Sequence, residues 1–208
     1  MTISNYEIMR NRMRDEFLKY DQDKILKKYD LKYDDDYIYI RFVDRDYRVG
    51  RKTGIVEGTT DGFVTTFEGD YNESMSIYDV LCYAKDDCRL SGNFCSISML
   101  KGTAQFSNGG IDINQGYARR FSGRIKKLSQ ACYKIGIRND LRGDVAATIH
   151  PFDFLPVTIQ YWDGDEEFAP SLKFMFDENI QDFMHYETIY YMMVHILKRI
   201  EELMEEEE

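Results

Sequence analysis

Four carboxylates stand within five positions of the segment YWDGDEEFAPSLKFMF (161–176), directly after the single tryptophan of the chain. They belong to Asp163, Asp165, Glu166 and Glu167. Asp163-Gly164 is a strong turn dipeptide, and the flanking runs VTIQYW and LKFMF favour strands, so we expect the carboxylates at or near the tip of a hairpin. Closely spaced carboxylates can ligate a divalent metal or exchange a proton with a substrate.

Two residues further along the chain extend this candidate acidic site. His185 and Glu187 stand at the start of the last helix, and they would approach Asp165, Glu166 or Glu167 if that helix packs beside the hairpin. One histidine with two or three carboxylates suits a divalent metal or an acid–base pair. The tight motifs H-x3-H and HExxH do not occur in the chain. An acidic tip that only solvates a turn is the alternative, and the sequence leaves both interpretations open.

A row of basic residues suggests a different chemistry, the binding of an anion. Arg120, Arg124 and Lys127 recur at helical spacing, opposite the apolar face of a helix predicted over about 115–136. The preceding loop, SNGGIDINQG (107–116), can present backbone N–H groups to a phosphate or a carboxylate. It matches neither the P-loop nor the dinucleotide pattern. A solvated face, partly paired with the acidic C-terminal third, is the alternative.

The four cysteines are predicted to be free thiols, mostly in the core. Their spacing is C-x5-C-x6-C with a distant fourth, which lacks the C-x2-C pair that aims two thiolates at one metal ion. Cys82, Cys95 and Cys132 coincide with apolar faces, and free cysteine is among the most buried residue types. Cys88, at a predicted helix end, does not coincide with an apolar face.

The composition indicates a folded protein in a reducing compartment. The chain has 208 residues and is 43% hydrophobic, which is enough for a core, and we expect a single domain over residues 1–208. The N-terminal segment has no apolar run typical of a secretory signal, and no stretch approaches the length of a spanning helix, so a cytoplasmic protein is expected. The net charge of −10 argues against binding to nucleic acid or to an anionic membrane surface.

Charge is distributed unevenly along the chain. Residues 117–142 hold 8 Lys and Arg against 1 Asp, whereas residues 143–208 hold 3 Lys and Arg against 16 Asp and Glu. We expect the two segments to complement each other in the fold, or one of them to be a docking surface for a partner.

Hydrophobic periodicity alternates between helical and extended segments. Residues 4–29 predict one helix or two in an N-terminal arm (1–30), 37–49 a hairpin turning at Asp44-Arg45, and 76–88 a further helix. FCSISML (94–100) alternates like a strand, and residues 186–204 form an amphipathic helix that leaves His195 on its surface. Without a regular βαβ rhythm, the order predicts an α+β fold with a mixed or antiparallel sheet flanked by helices.

Three segments resemble an uncharacterised bacterial family, the domain-of-unknown-function family 3786. They lie at 76–102, 121–136 and 152–203, and the most specific order is P-x5-W-x-G-D-E-E-F-x-P, then F-D, then H-x-E before the final helix. The resemblance spans residues 76–203. Its motif contains Trp162, Asp165, Glu166, Glu167, Phe168 and Glu187, which directs attention to the acidic hairpin.

The resemblance implies a protein of anaerobic bacteria with no assigned activity and no established catalytic residues. Some relatives carry a separate iron–sulfur module, but this chain has no such cysteine-rich segment. From the sequence we expect an accessory protein that binds a small anionic ligand or a protein partner. The alternative is an enzyme or metal-binding protein that uses the acidic cluster. No cofactor follows from the sequence.

Overall fold

A computed structural model describes residues 4–101 and 113–206 of the chain. The described residues form two compact units. The first takes in the chain up to Arg89 together with residues 152–154 and 181–193, and the second takes in residues 90–151, 155–180 and the chain from Val194 on. The single domain expected over 1–208 stays a prediction.

The first unit combines three helices with a four-stranded sheet. The helices are α1 (Asn5–Phe17), α2 (Gln22–Tyr29) and α3 (Tyr71–Tyr83), and the N-cap of each is a side chain that accepts a backbone N–H: Ser4 for α1, Asp21 for α2 and Asp70 for α3. These caps satisfy donors that a helix start otherwise leaves unpaired. The N-terminal arm is therefore two helices.

The sheet of the first unit is an antiparallel meander. Its strands are β1 (Tyr37–Phe42), β2 (Arg45–Gly50), β3 (Val56–Thr59) and β4 (Phe67–Glu68), hydrogen-bonded in that order. The predicted hairpin is confirmed, although Phe42 pairs with Arg45, so the two turn residues are Val43 and Asp44. Val43 has a φ of 57°, which is strained for a β-branched residue, and its buried side chain contributes hydrophobic stabilisation that offsets this strain.

A buried carboxylate joins the start of α3 to β2. Glu73 accepts hydrogen bonds from the Tyr47 hydroxyl (2.6 Å) and from the backbone N–H of Asp70 (2.6 Å). Burial raises the pKa of Glu73 above its ordinary value, against the lowering effect of the Tyr47 hydroxyl. The two hydrogen bonds of Glu73 connect the N-terminal cap of α3 to strand β2 of the sheet.

The second unit is built on a five-stranded sheet with the order β5-β9-β8-β7-β6. Its strands are β5 (Phe94–Ser96), β6 (Gly136–Arg138), β7 (Val145–Phe152, whose last residue falls in the first unit), β8 (Leu155–Trp162) and β9 (Ser171–Asp177). The helices are α4 (Ile113–Phe121) and α5 (Ile125–Ile135); α6 (Tyr186–Glu205) contributes its later turns here and its first turns to the first unit. The α+β class, with antiparallel sheets, is confirmed.

The helix predicted over 115–136 is two helices, so that prediction is wrong. The break falls at Ser122–Arg124, where Gly123 has a φ of 73°, a conformation that glycine adopts without steric cost. The preceding loop predicted at 107–116 lies outside the described residues up to 112, and 113–116 are already helical. FCSISML is extended only over Phe94–Ser96 and then turns into a short 3-10 helix.

Within residues 4–101 and 113–206, no helix combines the length and the apolar character needed to cross a bilayer.

Candidate functional site

A basic recess of the first unit lies along α2. We call it the α2 cleft; it has a volume of about 450 Å³ and is lined by Lys24, Lys27, Lys28, Tyr29, Asp86, Cys88, Phe154 and Phe183. The helix buries Ile25 and Leu26. Lys24 is three residues from Lys27 and four from Lys28, and this spacing places all three ammonium groups on one side of the helix.

Aromatic rings form the wall of the α2 cleft. Tyr29 and Phe154 are stacked with ring centroids 4.1 Å apart, and Phe154 lies nearly parallel to Phe183 at 6.2 Å. The Tyr29 hydroxyl donates to the carbonyl oxygen of Val80 (3.0 Å). Burial, followed by the nearby Cys88 thiol, raises the pKa of Tyr29 well above its ordinary value, so the ring stays neutral. The aromatic wall is therefore uncharged, and the hydrogen bond from the Tyr29 hydroxyl to Val80 fixes the position of the Tyr29 ring.

The charges of the α2 cleft are unequal. Lys24 pairs with Asp86 at 2.6 Å, and Lys28 donates to the Ala84 carbonyl oxygen (2.5 Å) with the Asp86 carboxylate 3.8 Å away. Lys28 is largely buried, with 12% of its side chain exposed, whereas Lys27 is exposed and forms no ion pair with the described residues. Three ammonium groups thus face one carboxylate, and an entering anion would meet net positive charge.

A second recess shares Tyr29 and Phe154 with the α2 cleft. It has a volume of about 480 Å³, and its charged lining consists of Asp30, Lys32, Arg41, Asp46 and Asp153. Arg41 and Asp153 approach each other at 3.4 Å. Because carboxylates outnumber the cations here, this recess is the less favourable one for an anion.

The predicted acidic hairpin is present in the second unit, with β8 and β9 joined by residues 163–170, which we call the acidic loop. Asp163 accepts hydrogen bonds from the Ser122 hydroxyl (2.9 Å), the Gly123 N–H (3.1 Å), the Tyr161 hydroxyl (3.0 Å) and the Gly164 N–H (2.9 Å). Burial opposes ionisation, but these donors, with Gly123 first, lower the pKa of Asp163. Its carboxylate anchors the break between α4 and α5.

The other carboxylates of the acidic loop differ in their surroundings. Asp165 accepts the backbone N–H groups of Glu167 (2.9 Å) and Phe168 (2.7 Å), which closes a local turn. Glu166 and Glu167 are exposed, and the Phe168 side chain is 69% exposed. Asp163 and Asp165 thus have structural roles, and the two glutamates remain accessible.

His185 is paired with a carboxylate that the sequence reasoning missed. Its Nδ1 lies 2.6 Å from Oδ1 of Asp79, and its backbone N–H donates to Oδ2 of the same residue at 2.6 Å. The Asp79 side chain is buried, whereas the His185 side chain is 62% exposed and packs edge-on against Tyr83. Asp79 lies within an apolar segment of α3, between Tyr78 and Val80. The only sequence signal for its role was the presence of a charged residue in that segment.

The acidic loop belongs to the second unit, whereas His185 and the exposed Glu187 belong to the first. Their convergence on one metal or acid–base site stays a prediction.

Two of the three predicted anion-binding residues pair with carboxylates in the second unit. Arg120 contacts Glu201 at 3.0 Å and stacks on the Tyr117 ring at 3.7 Å, and Arg124 contacts Glu205 at 2.5 Å. Lys127 is half-buried on α5. An anion at Arg120 or Arg124 must compete with these glutamates, and binding there stays a prediction.

A family model described as "Domain of unknown function (DUF3786)" matches residues 21–199. The chain belongs to this family. The match begins at Asp21, the N-cap of α2, and includes every residue of the α2 cleft and of the acidic loop. No curated protein and no solved structure is significantly similar to the chain.

The thiols of this DUF3786 protein are free, and Cys82, Cys95 and Cys132 are buried as predicted. Cys88 is half-buried in the α2 cleft, and burial raises its thiol pKa. His195 is buried, so its predicted surface position is wrong. The physical reason is that α6 is buried around a wider part of its circumference than the single apolar face that the sequence predicted.

Proposed function

We propose that this DUF3786 protein is a cytoplasmic accessory protein that binds a small anionic ligand in the α2 cleft and has no catalysis of its own. The carrying observation is that Lys24, Lys27 and Lys28 line one recess in which Asp86 supplies the only carboxylate of the described lining. The chain as a whole carries a net charge of −10, so the excess positive charge of the cleft lining is opposite in sign to the net charge of the protein. Lysine ammonium groups bind phosphate as point charges.

The test uses inorganic pyrophosphate as the probe and single lysine variants of the full chain. Lys27→Gln removes an exposed ammonium group that forms no ion pair with the described residues, so the variant is expected to fold like the parent. We expect pyrophosphate to raise the melting temperature of the parent at low salt, and Lys27→Gln to weaken the affinity about tenfold. Raising the salt should weaken binding to the parent, because exposed charges are screened.

Two further variants make this test specific. Lys52→Gln, which changes another exposed lysine that does not line the α2 cleft, should bind like the parent. Arg120→Gln tests the rival anion site and should also bind like the parent. If Arg120→Gln loses binding and Lys27→Gln keeps it, the ligand site belongs to α4 and α5. Absence of any pyrophosphate effect on the parent would refute the proposal.

The Asp79–His185 pair favours a second candidate function, metal or proton handling at His185. Since Nδ1 faces the buried Asp79, Nε2 is the nitrogen that can take a metal ion or a proton, an arrangement common behind metal-bound histidines. Zinc titration should show one site in the parent that His185→Gln removes and His150→Gln retains. Equal zinc binding by all three proteins would exclude this role for His185.

A further inference from the structure

The α2 cleft contains more than positive charge, and its other surfaces restrict the ligand. Beside the lysines lies a wall of three aromatic side chains, Tyr29, Phe154 and Phe183, whose rings are nearly parallel in consecutive pairs. A simple inorganic anion would make no use of this wall. A ligand that carries a flat ring can bury its faces or edges against such rings.

Asp86 adds a third requirement. Its carboxylate lies 2.6 Å from Lys24 and 3.8 Å from Lys28, and Lys24 lowers its pKa, so it is ionised and accepts hydrogen bonds. A ligand composed only of anionic groups would offer no hydrogen-bond donor to this carboxylate. Hydroxyl or amino donors on the ligand would be held by it.

We infer that the ligand of the α2 cleft is a nucleoside phosphate, with its phosphate at the lysines, its base against the aromatic wall and its ribose hydroxyl groups toward Asp86. This inference rests on the proposed function and specifies the chemical class of the ligand. The cleft volume of about 450 Å³ lies within the range of small-molecule sites, ~300–1,000 Å³. The neighbouring recess, with three carboxylates against Lys32 and Arg41, offers the phosphate no comparable place.

The experiment compares four probes by isothermal titration with the full chain. AMP carries all three features, adenosine lacks the phosphate, ribose 5-phosphate lacks the base, and inorganic phosphate lacks both base and ribose. We expect AMP to bind about tenfold or more tightly than each of the other three, because each lacks at least one set of contacts. Lys27→Gln should reduce AMP affinity about tenfold and leave adenosine affinity unchanged.

A matched pair of variants tests the aromatic wall. Phe154→Leu should weaken AMP several-fold while leaving ribose 5-phosphate unaffected, and Phe168→Leu, in the exposed acidic loop, should change neither affinity. Circular dichroism spectra matching the parent would show that both variants fold. Should Phe154→Leu fail to fold, the comparison of AMP with ribose 5-phosphate on the parent decides the question alone.

The outcomes separate this inference from the proposed function. If ribose 5-phosphate or inorganic phosphate binds as tightly as AMP and depends on Lys27, the α2 cleft binds anions but does not recognise a base, and the inference is overturned. If adenosine equals AMP, the lysines are not used, and the inference also fails. If none of the four probes binds while pyrophosphate still stabilises the parent, the inference alone fails, and if pyrophosphate has no effect either, the proposed function fails with it.

Discussion

Asp177→Asn is expected to lower the free energy of unfolding by about 3 kcal/mol at pH 7. Asp177 has no solvent-exposed surface and accepts three backbone N–H groups, from Ser91 (3.0 Å), Gly92 (2.8 Å) and Asn179 (2.8 Å). Asparagine has one acceptor oxygen, so its NH2 group would face at least one of these donors in a buried site. Chemical denaturation of the parent and the variant measures the difference.

The pH dependence of this difference follows from the sign of the pKa shift. Burial opposes ionisation of Asp177, but the backbone donors at Ser91, Asn179 and Gly92 outweigh it and lower the pKa below 3.8. The stability from Asp177 is therefore fully present above pH 3.8 and is lost as the pH falls through the lowered pKa. The gap between parent and Asp177→Asn should shrink below pH 3.8. Glu178→Gln, an exposed neighbour, should match the parent throughout, and a pH-independent gap would contradict the assignment.

Asp163→Ala should lower the free energy of unfolding by about 2 kcal/mol, less than Asp177→Asn because water can reach part of the site. The change removes the acceptor for Ser122, Gly123, Tyr161 and Gly164. Since Asp163 holds the α4–α5 break, the backbone N–H of Gly123 should also exchange with solvent faster. Denaturation and hydrogen exchange measure the two effects separately.

Glu166→Ala is the matched control for Asp163→Ala. Both residues lie in the acidic loop, but Glu166 is exposed, so its removal should leave both the unfolding free energy and the exchange of Gly123 unchanged. Equal effects of the two substitutions would show that the loop carboxylates are equivalent and that Asp163 has no anchoring role.

Local patterns were sufficient for most of the fold. Two-residue alternation located β1 and β2, strand-forming runs around the Asp163-Gly164 turn located β8 and β9, and helical spacing located α3 and α6. The break between α4 and α5 was missed because its cause is remote. The backbone N–H of Gly123 donates to Asp163, 40 residues later, and local periodicity gives no sign of such a contact.

The candidate sites were harder to predict from the sequence, because they also depend on contacts between residues that are far apart in the chain. A helix was predicted where the lysines of α2 stand, but the aromatic wall comes from Phe154 and Phe183, more than a hundred positions away along the chain. Asp163 was correctly placed at a hairpin, but the sequence alone does not distinguish a carboxylate that anchors a turn from one that binds a metal. The pairing of Arg120 and Arg124 with Glu201 and Glu205 agrees with the expected complementarity of the basic segment and the acidic third.

A crystal structure of the full chain grown with AMP would show whether the α2 cleft binds a small anion. We predict electron density for the phosphate within hydrogen-bond distance of the Lys27 ammonium group and density for the base beside Tyr29 and Phe154. Phosphate density at Arg120 and Arg124, with an empty α2 cleft, would contradict the account.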